Sequence, residues 1–253
     1  MMTNILTKLV TMSQTLGEPA QDYVILGEGN TSARVDEKTF WVKASGTSLN
    51  GISEQGFVQI NFEPVLSLFE QDSLSDTTVK DALNAARVDQ SSPFRPSVET
   101  TFHAMALTIG DANFIGHTHP TAVNTILCSQ KAEEAISGRL FPDEIVVCGP
   151  GPAFVPYTDP GLPLAKAIKE SIEKYQDENG RSPKVILMKN HGLIALGKTA
   201  DEVLRITAMY VKTARIILGS YALGGPQFLT DADVARIDSR PDEHYRRKML
   251  EKN

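Results

Sequence analysis

Asn113-Phe114-Ile115-Gly116-His117-Thr118-His119-Pro120 is the stretch from which the rest of the chain can be interpreted. Its apolar run predicts a buried strand over 113–117, and Pro120 predicts the first turn of a following helix. Residues i and i+2 of a strand face the same side. His117 and His119 therefore present two imidazoles side by side, a pairing that suits zinc or a similar metal.

His191 is the third candidate ligand. It follows a second apolar run over 184–188, and Gly192 lets the chain turn closely behind it. Three imidazoles at neighbouring strand ends would leave coordination positions open, as a catalytic metal requires. The alternative is that these histidines are ordinary core residues with hydrogen-bond partners, and spacing alone leaves that alternative open.

The predicted elements around these histidines mix hairpins with crossovers. We expect strands over 23–26, 33–35, 39–44, 57–60, 113–117, 145–148, 184–188 and 193–196. We expect helices over 1–16, 62–70, 77–87, 97–107, from 120, and over 163–178 and 199–218. This mixture favours an α/β fold with a mixed central β-sheet sandwiched between helix layers. Residues 1–222 would form one domain, and the polar tail 223–253 could cover a neighbouring subunit.

Composition excludes several classes of protein. Apolar residues make up 41% and charged residues 22% of 253, as in ordinary globular proteins. A net charge of −6 disfavours nucleic-acid binding, which needs a basic face. No apolar run has the length of a membrane span. Cys128 and Cys148 are expected to be buried free thiols, which together with the lack of a signal-peptide pattern indicates a reducing, cytoplasmic setting.

Two small-residue loops, 27–32 and 45–47, offer backbone N–H groups and short polar side chains that can cradle a phosphate. Lys43 could add charge, and Ser97, expected as a helix N-cap, could add a hydroxyl. The alternative is ordinary turn chemistry. Residues 192–199 formally match a phosphate-binding loop, but their central Leu-Ile-Ala-Leu indicates a strand, so we reject nucleotide binding there.

Glu99 is the candidate acid. It lies in the first turn expected for the helix after Ser97, where a carboxylate can simply complement the helix dipole. Alternatively it lies beside the metal, as a ligand or as a general base that removes a proton next to a carbonyl.

The order of these motifs resembles the class II aldolase/adducin family, which includes L-fuculose- and L-rhamnulose-phosphate aldolases and L-ribulose-5-phosphate 4-epimerase. The resemblance extends over roughly residues 5–220 and rests on five motifs in the family's order: Gly29-Asn30-Thr31-Ser32, Ser45-Gly46-Thr47, Ser97-Val98-Glu99, His117-Thr118-His119-Pro120 and Asn190-His191-Gly192. It implies a homotetramer with sites between subunits. It also implies a zinc ion on the three histidines, with Mn²⁺ or Mg²⁺ as alternatives, Glu99 as the catalytic acid, and phosphate contacts from Asn30, Ser45, Gly46 and Ser97.

The implied reaction is reversible cleavage of a ketose 1-phosphate to dihydroxyacetone phosphate and an aldehyde through a metal-stabilised enediolate. Val98 departs from the Ser-Ser-Glu of fuculose-type members and removes one phosphate-contacting hydroxyl. Glu99 matches the aldolases, whereas Lys43 resembles the epimerase branch. Tyr245 is the candidate proton donor from the tail, with Tyr157 as another.

Other activities are compatible with the same motifs. An epimerase, a decarboxylase or a dehydratase would share the metal site and the proton chemistry. A non-catalytic scaffold of the adducin type is a further alternative, although such a protein has no reason to keep three histidines and a carboxylate together.

Overall fold

The computed structural model describes residues 5–71, 73–242 and 249 of the chain. The strands in these ranges are β1 (Asn30–Arg34), β2 (Thr39–Lys43), β3 (Phe57–Asn61), β4 (Phe114–Thr118), β5 (Ala153–Val155), β6 (Val185–Met188) and β7 (Gly192–Gly197). The helices are α1 (Ile5–Leu16), α2 (Phe62–Leu66), α3 (Asp76–Ala85), α4 (Thr100–Ile109), α5 (Thr121–Leu127), α6 (Ala132–Ile136), α7 (Pro142–Cys148), α8 (Leu162–Asn179), α9 (Ala200–Tyr221) and α10 (Asp231–Ser239).

All seven strands form one sheet in the order β3-β2-β1-β4-β7-β6-β5. Neighbours are antiparallel except β5 and β6, which are parallel, so the expected mixed sheet is confirmed. At the centre, β4 runs opposite to both β1 and β7. The end of β4 therefore shares one edge with the starts of β1 and β7, where Asn30 pairs with His117 and Thr118 pairs with Leu193.

Helices cover both faces of the sheet because successive strand residues point to opposite sides. In β6, Ile186 and Met188 join a core cluster that includes residues of α2, α3, α4 and α8. Val185 and Leu187 join a second cluster, with residues of α1, α5, α7 and α9. The three-layer α/β architecture predicted from the sequence is thus confirmed, and no helix in the described part of the chain is long and apolar enough to cross a membrane.

The two longest helices, α8 and α9, have the caps that their sequences favour. The Thr199 side chain accepts a hydrogen bond of 3.1 Å from the backbone N–H of Glu202 at the start of α9. Gly180 ends α8 in the left-handed conformation, at φ 66°.

The strand expected over 23–26 is wrong. Both sides of β1, the next strand along the chain, are already paired, with β2 and β4, so residues 23–26 cannot pair with it. Residues 25–28 form a turn instead, in which the N–H of Glu28 donates to the carbonyl of Ile25 and Leu26 adopts φ 52°. The small-residue loop ends earlier than expected, because β1 begins at Asn30.

The strand expected over 145–148 is also wrong, because these residues belong to α7. A run of four apolar residues fits a buried strand and a buried helix equally well. Pro142 in the first turn starts the helix, and the fully buried carboxylate of Glu144 pairs with Arg139. The short strand β5 lies instead after this helix, in a stretch for which no strand was expected.

The two cysteines differ. Cys148 is buried, and burial raises the pKa of its thiol well above the ordinary value. Cys128 is exposed just after α5, which corrects the expectation that both are buried.

The beginning of the tail packs on its own chain. The N–H of Leu229 donates to the carbonyl of Arg139, and α10 lies against α7. Asp238 of α10 forms an ion pair with Arg181. Coverage of a neighbouring subunit by residues 223–253 stays a prediction, and Tyr245 lies outside the described residues.

Candidate metal centre and active site

Three imidazoles meet at the sheet edge where β4 ends. One nitrogen each from His117, His119 and His191 lies within 4.8 Å of the others, and the Nε2 atoms of His117 and His119 are 3.0 Å apart. The three histidines that the sequence predicted as one group thus lie together. His117 is in β4, His119 directly follows β4, and His191 lies in the turn before β7.

His117 is fully buried, and its orientation is fixed by the neighbouring strand. Its Nδ1 lies 3.0 Å from the carbonyl oxygen of Leu193 in β7. A carbonyl can only accept, so Nδ1 carries the proton and the Nε2 lone pair faces the other two rings. Burial lowers the pKa of His117 well below its usual value, which keeps the ring neutral. A neutral imidazole with a free lone pair is the form that binds metals.

His119 is held by one contact of its backbone and one of its ring. Its backbone N–H donates to the carbonyl of Tyr23, and its Nδ1 lies 3.7 Å from a carboxylate oxygen of Glu28. Burial, followed by the charge of His191, lowers the pKa of His119, and Glu28 opposes that change. A carboxylate behind a ligating histidine fixes ring orientation in many metal sites.

His191 is positioned by a tight turn between β6 and β7. Asn190 takes the left-handed conformation, at φ 55°, which asparagine tolerates better than most residues. The side chain of Asn124 in α5 donates to the carbonyl of His191 at 2.9 Å. A Cβ on Gly192 would lie 2.7 Å from the His119 ring, so the turn needs glycine for the rings to converge.

Glu99 lies directly beside these rings. Its Oε1 is 3.7 Å from Nε2 of His117 and 3.4 Å from Nε2 of His191, while its Oε2 accepts from the side-chain amide of Asn30. Burial alone would raise its pKa. A positive charge on His117 or His191 would lower the pKa of Glu99, and the hydrogen bond from the Asn30 amide lowers it as well, so the pKa lies below the usual range. Glu99 is therefore a charged carboxylate poised next to three imidazoles.

These residues fit a divalent metal. Nitrogen ligands lie about 2.0–2.1 Å from zinc, so two nitrogens 3.0 Å apart can share one ion. The His117 lone pair faces the other rings, and the Glu99 charge favours a cation there. Three imidazole ligands would also leave coordination positions open for substrate.

His103 is the residue that sequence reasoning missed. It lies in α4 one turn after Glu99, is fully buried, and contacts both Asn30 and Ser32. Its spacing of four residues from Glu99 was the available signal, since such residues share a helix face.

Several residues predicted to bind phosphate lie together on a rim formed by residues 45–47 and 95–97. Ala44 and Pro96 form an isolated bridge, which places the exposed Ser45 beside the 95–97 segment. The Lys43 ammonium is buried and donates to the carbonyls of Gly27, at 3.3 Å, and Thr47, at 2.5 Å, so it ties the two small-residue loops together. Burial lowers the pKa of Lys43, and Glu99 opposes that change.

Two of the predicted phosphate ligands are placed differently from expectation. Ser97 does not cap α4, which begins three residues later, and its buried hydroxyl has no hydrogen-bond partner among the described residues. Asn30 turns inward to Glu99 and His103 rather than out to the rim. The exposed Gly46 adopts φ 79°.

A cavity of about 340 Å³ opens beside His119. Its walls include Glu28, Asn124 and the exposed Cys128. The side chain of Tyr157, the other candidate proton donor, is exposed to solvent, and its hydroxyl donates to the carboxylate of Asp159.

The chain is similar to one protein family over most of its length, and to several individual proteins. The family model described as Class II Aldolase and Adducin N-terminal domain matches residues 7–218. An uncharacterised oxidoreductase of Bacillus subtilis, YuxG, is 30% identical over 199 residues, or 76% of this chain and 25% of that protein. The chain thus spans a quarter of that relative's length.

Two relatives of similar length carry more specific names. A 3-oxo-tetronate 4-phosphate decarboxylase of Haemophilus influenzae is 23% identical over 221 residues, covering 86% of this chain and 89% of that protein. A methylthioribulose-1-phosphate dehydratase of Bacillus pumilus is 26% identical over 204 residues, covering 75% and 81%.

Solved structures show the same fold. The N-terminal class II aldolase domain of a conserved protein from Thermoplasma acidophilum superposes with a TM-score of 0.68 at 26% identity, covering 86% of this chain and 95% of that one. An L-fuculose 1-phosphate aldolase superposes with a TM-score of 0.70 at 18% identity, covering 94% and 96%.

Proposed function

The chain belongs to the class II aldolase and adducin family, and from this premise we propose that it is a metal-dependent aldehyde-lyase acting on a sugar phosphate. The proposed reaction is reversible cleavage of a ketose 1-phosphate, of the fuculose- or rhamnulose-phosphate kind, to dihydroxyacetone phosphate and an aldehyde. The observation that carries the proposal is the charged Glu99 carboxylate 3.4 Å from His191 and 3.7 Å from His117.

The metal would be held by His117, His119 and His191, with Glu99 as a further ligand or as an acid next to the ion. Zinc suits three imidazoles best, with Mn²⁺ or Mg²⁺ as alternatives. A bound divalent ion would polarise the substrate carbonyl as a Lewis acid.

Glu99 is the proposed proton carrier. In cleavage, the C3–C4 bond of the ketose breaks, the C4 hydroxyl loses its proton to become the aldehyde, and C3 gains a proton to become the hydroxymethyl group of dihydroxyacetone phosphate. Glu99 delivers the C3 proton in this direction and removes it in the synthetic direction. Its Oε2 is held by Asn30, which leaves Oε1 on the side of the imidazoles. Tyr245 is the proposed partner for the C4 hydroxyl proton.

The substrate phosphate is proposed to bind at the rim formed by Ser45, Gly46 and Ser97, with Asn30 and the buried Lys43 behind it. The support is the unpartnered Ser97 hydroxyl, since a buried hydroxyl without a hydrogen bond is costly in the free protein and would gain one from a phosphate oxygen.

Assembly and location are proposed from the family. We expect a homotetramer with sites between subunits, in the cytoplasm. Ile25 and Leu26 support assembly, because these exposed apolar residues, 64% and 83% accessible, lie on the turn that also carries Glu28.

The decarboxylase and dehydratase names of two relatives favour a second candidate, in which the same proton chemistry serves another bond change. A 4-epimerase is the third enzymatic alternative, favoured by Lys43. A non-catalytic adducin-like scaffold has less support, because a scaffold does not require Glu99 and three imidazoles to converge.

A product assay separates these candidates. Zinc-loaded protein is incubated with a panel of ketose 1-phosphates, and dihydroxyacetone phosphate is measured by coupled reduction. We expect release from at least one ketose, loss of that release in Glu99→Gln, and no loss in the control Glu63→Gln, which changes an exposed carboxylate in α2. The absence of dihydroxyacetone phosphate across the panel would exclude the aldolase and leave the second candidate.

A further inference from the structure

A continuous chain of hydrogen bonds leads from the partly buried Glu99 into the core. Glu99 contacts Asn30, Asn30 contacts Nε2 of His103, and Nδ1 of His103 lies 2.7 Å from the hydroxyl oxygen of Ser32. Asn30 and Ser32 are two residues apart in β1, so they share a face of the strand and hold the two nitrogens of one ring between them.

The direction of every bond in this chain follows from Glu99. An ionised carboxylate only accepts, so Asn30 must turn its NH₂ group toward Glu99 and its oxygen toward His103. That oxygen requires a proton on Nε2 of His103. Full burial of the ring favours its neutral form, in which Nδ1 accepts and the Ser32 hydroxyl, 2.7 Å away, donates to it.

His103 has no freedom to turn. Its ring is fully buried and stacks on Phe102, with ring centroids 4.5 Å apart and planes inclined by 24°. Its backbone N–H donates to the carbonyl of Glu99, so the ring and the acid are fixed to the same turn of α4.

We propose that His103 is a positioning residue that fixes the amide of Asn30, so that Asn30 holds one oxygen of Glu99 and leaves the other directed at the imidazoles. Without the Nε2–H donor, the Asn30 oxygen loses its hydrogen-bond partner and the side chain is free to adopt other rotamers. Oε2 of Glu99 would then lose its fixed donor, and the carboxylate would shift relative to His117 and His191. The effect on turnover rests on the proposed function, whereas the tautomer of His103 does not.

The tautomer is measured directly on the full-length protein labelled with ¹⁵N-histidine. Long-range proton–nitrogen correlation spectra report which ring nitrogen carries the proton, and the His103 signals are assigned by their loss in His103→Gln. We expect a protonated Nε2 and a bare Nδ1. We expect the same tautomer in Ser32→Ala, because Asn30 sets it. A protonated Nδ1 in the unchanged protein would overturn the proposal without touching the proposed function.

Variants assayed for turnover distinguish a positioning role of His103 from a purely structural one. We expect His103→Leu to lower kcat about 10- to 100-fold, as loss of an outer-shell partner does elsewhere, with little change in KM. His103→Gln, which keeps an N–H donor, should recover part of that loss. Leu107→Ala in the same helix controls for destabilisation, because it removes buried volume without touching the network.

The decisive comparison is a double-mutant cycle. If His103 acts through Asn30, the Asn30→Ala/His103→Leu protein should lose no more kcat than Asn30→Ala alone. Additive losses, or a loss in Leu107→Ala equal to that in His103→Leu at matched Tm, would show a structural role only and overturn the proposal.

Discussion

Single residues at the site divide into those that local sequence predicts and those that it cannot. His117 and His119 were predictable because two positions in a strand share a face whatever the rest of the fold does. Glu28 was not, because its contact with His119 joins segments far apart in the chain. His103 shares a helix face with Glu99, but its contact with Asn30 was not predictable, for the same reason. The orientation of the Asn30 side chain was not predictable either, since it depends on Glu99 and His103 together.

Glu28 offers a test at the scale of one residue. Its carboxylate lies 3.7 Å from Nδ1 of His119 and accepts from the N–H of Ile25, so it links the 25–28 turn to the candidate metal ligand. We expect Glu28→Gln to weaken zinc affinity about tenfold, the lower end of the effect of losing an outer-shell partner. Competition with a chromophoric chelator measures that affinity. Glu63→Gln serves as the matched control, and equal affinities in the two variants would contradict the role given to Glu28.

Elements were predicted where periodicity or caps were unambiguous, and missed where an apolar run was short. Strands β6 and β7 and helix α9 follow from their sequences. Residues 145–148 form a helix because Pro142 and the buried Arg139–Glu144 pair decide between two equally apolar structures. Residues 23–26 cannot pair with the next strand, β1, because both of its edges are taken, which only the complete strand order reveals.

The β6–β7 turn carries a prediction at the element scale. A Cβ on Gly192 would lie 2.6 Å from the carbonyl oxygen of Thr118, 2.7 Å from the His119 ring and 3.3 Å from the His117 ring. We expect Gly192→Ala to lower zinc affinity by at least tenfold because it pushes the two rings apart, as measured by the same chelator competition.

The matched control is Gly219→Ala in α9, where a Cβ meets nothing within 4 Å. It should bind zinc normally and gain about 0.5–1 kcal/mol in the free energy of unfolding, because alanine favours helix. Wild-type zinc affinity in Gly192→Ala would mean that the rings do not depend on the close turn.

At the scale of the whole molecule, the sequence predicts the layers of sheet and helices, whereas the position of the site depends on the order of the strands. Continuous apolar runs, such as those of β6 and β7, predict strands buried on both faces, and both core clusters confirm it. The central order β1-β4-β7 brings Asn30, His117 and Gly192 to one edge, which no local pattern specifies. The order arises from long-range packing, as does the placement of α10 on its own chain.

Solvent exchange tests most directly the central claim, that Glu99 moves a proton beside a carbonyl held at the three-histidine site. Zinc-loaded protein is incubated with dihydroxyacetone phosphate in D₂O without any aldehyde, and the hydroxymethyl signals are followed by proton NMR. We predict that one of the two hydroxymethyl hydrogens is replaced by deuterium, at a rate that falls by about 10²–10⁴-fold in Glu99→Gln and becomes undetectable after chelation. No exchange in the loaded wild-type protein, or exchange at an equal rate in Glu99→Gln, would contradict the account.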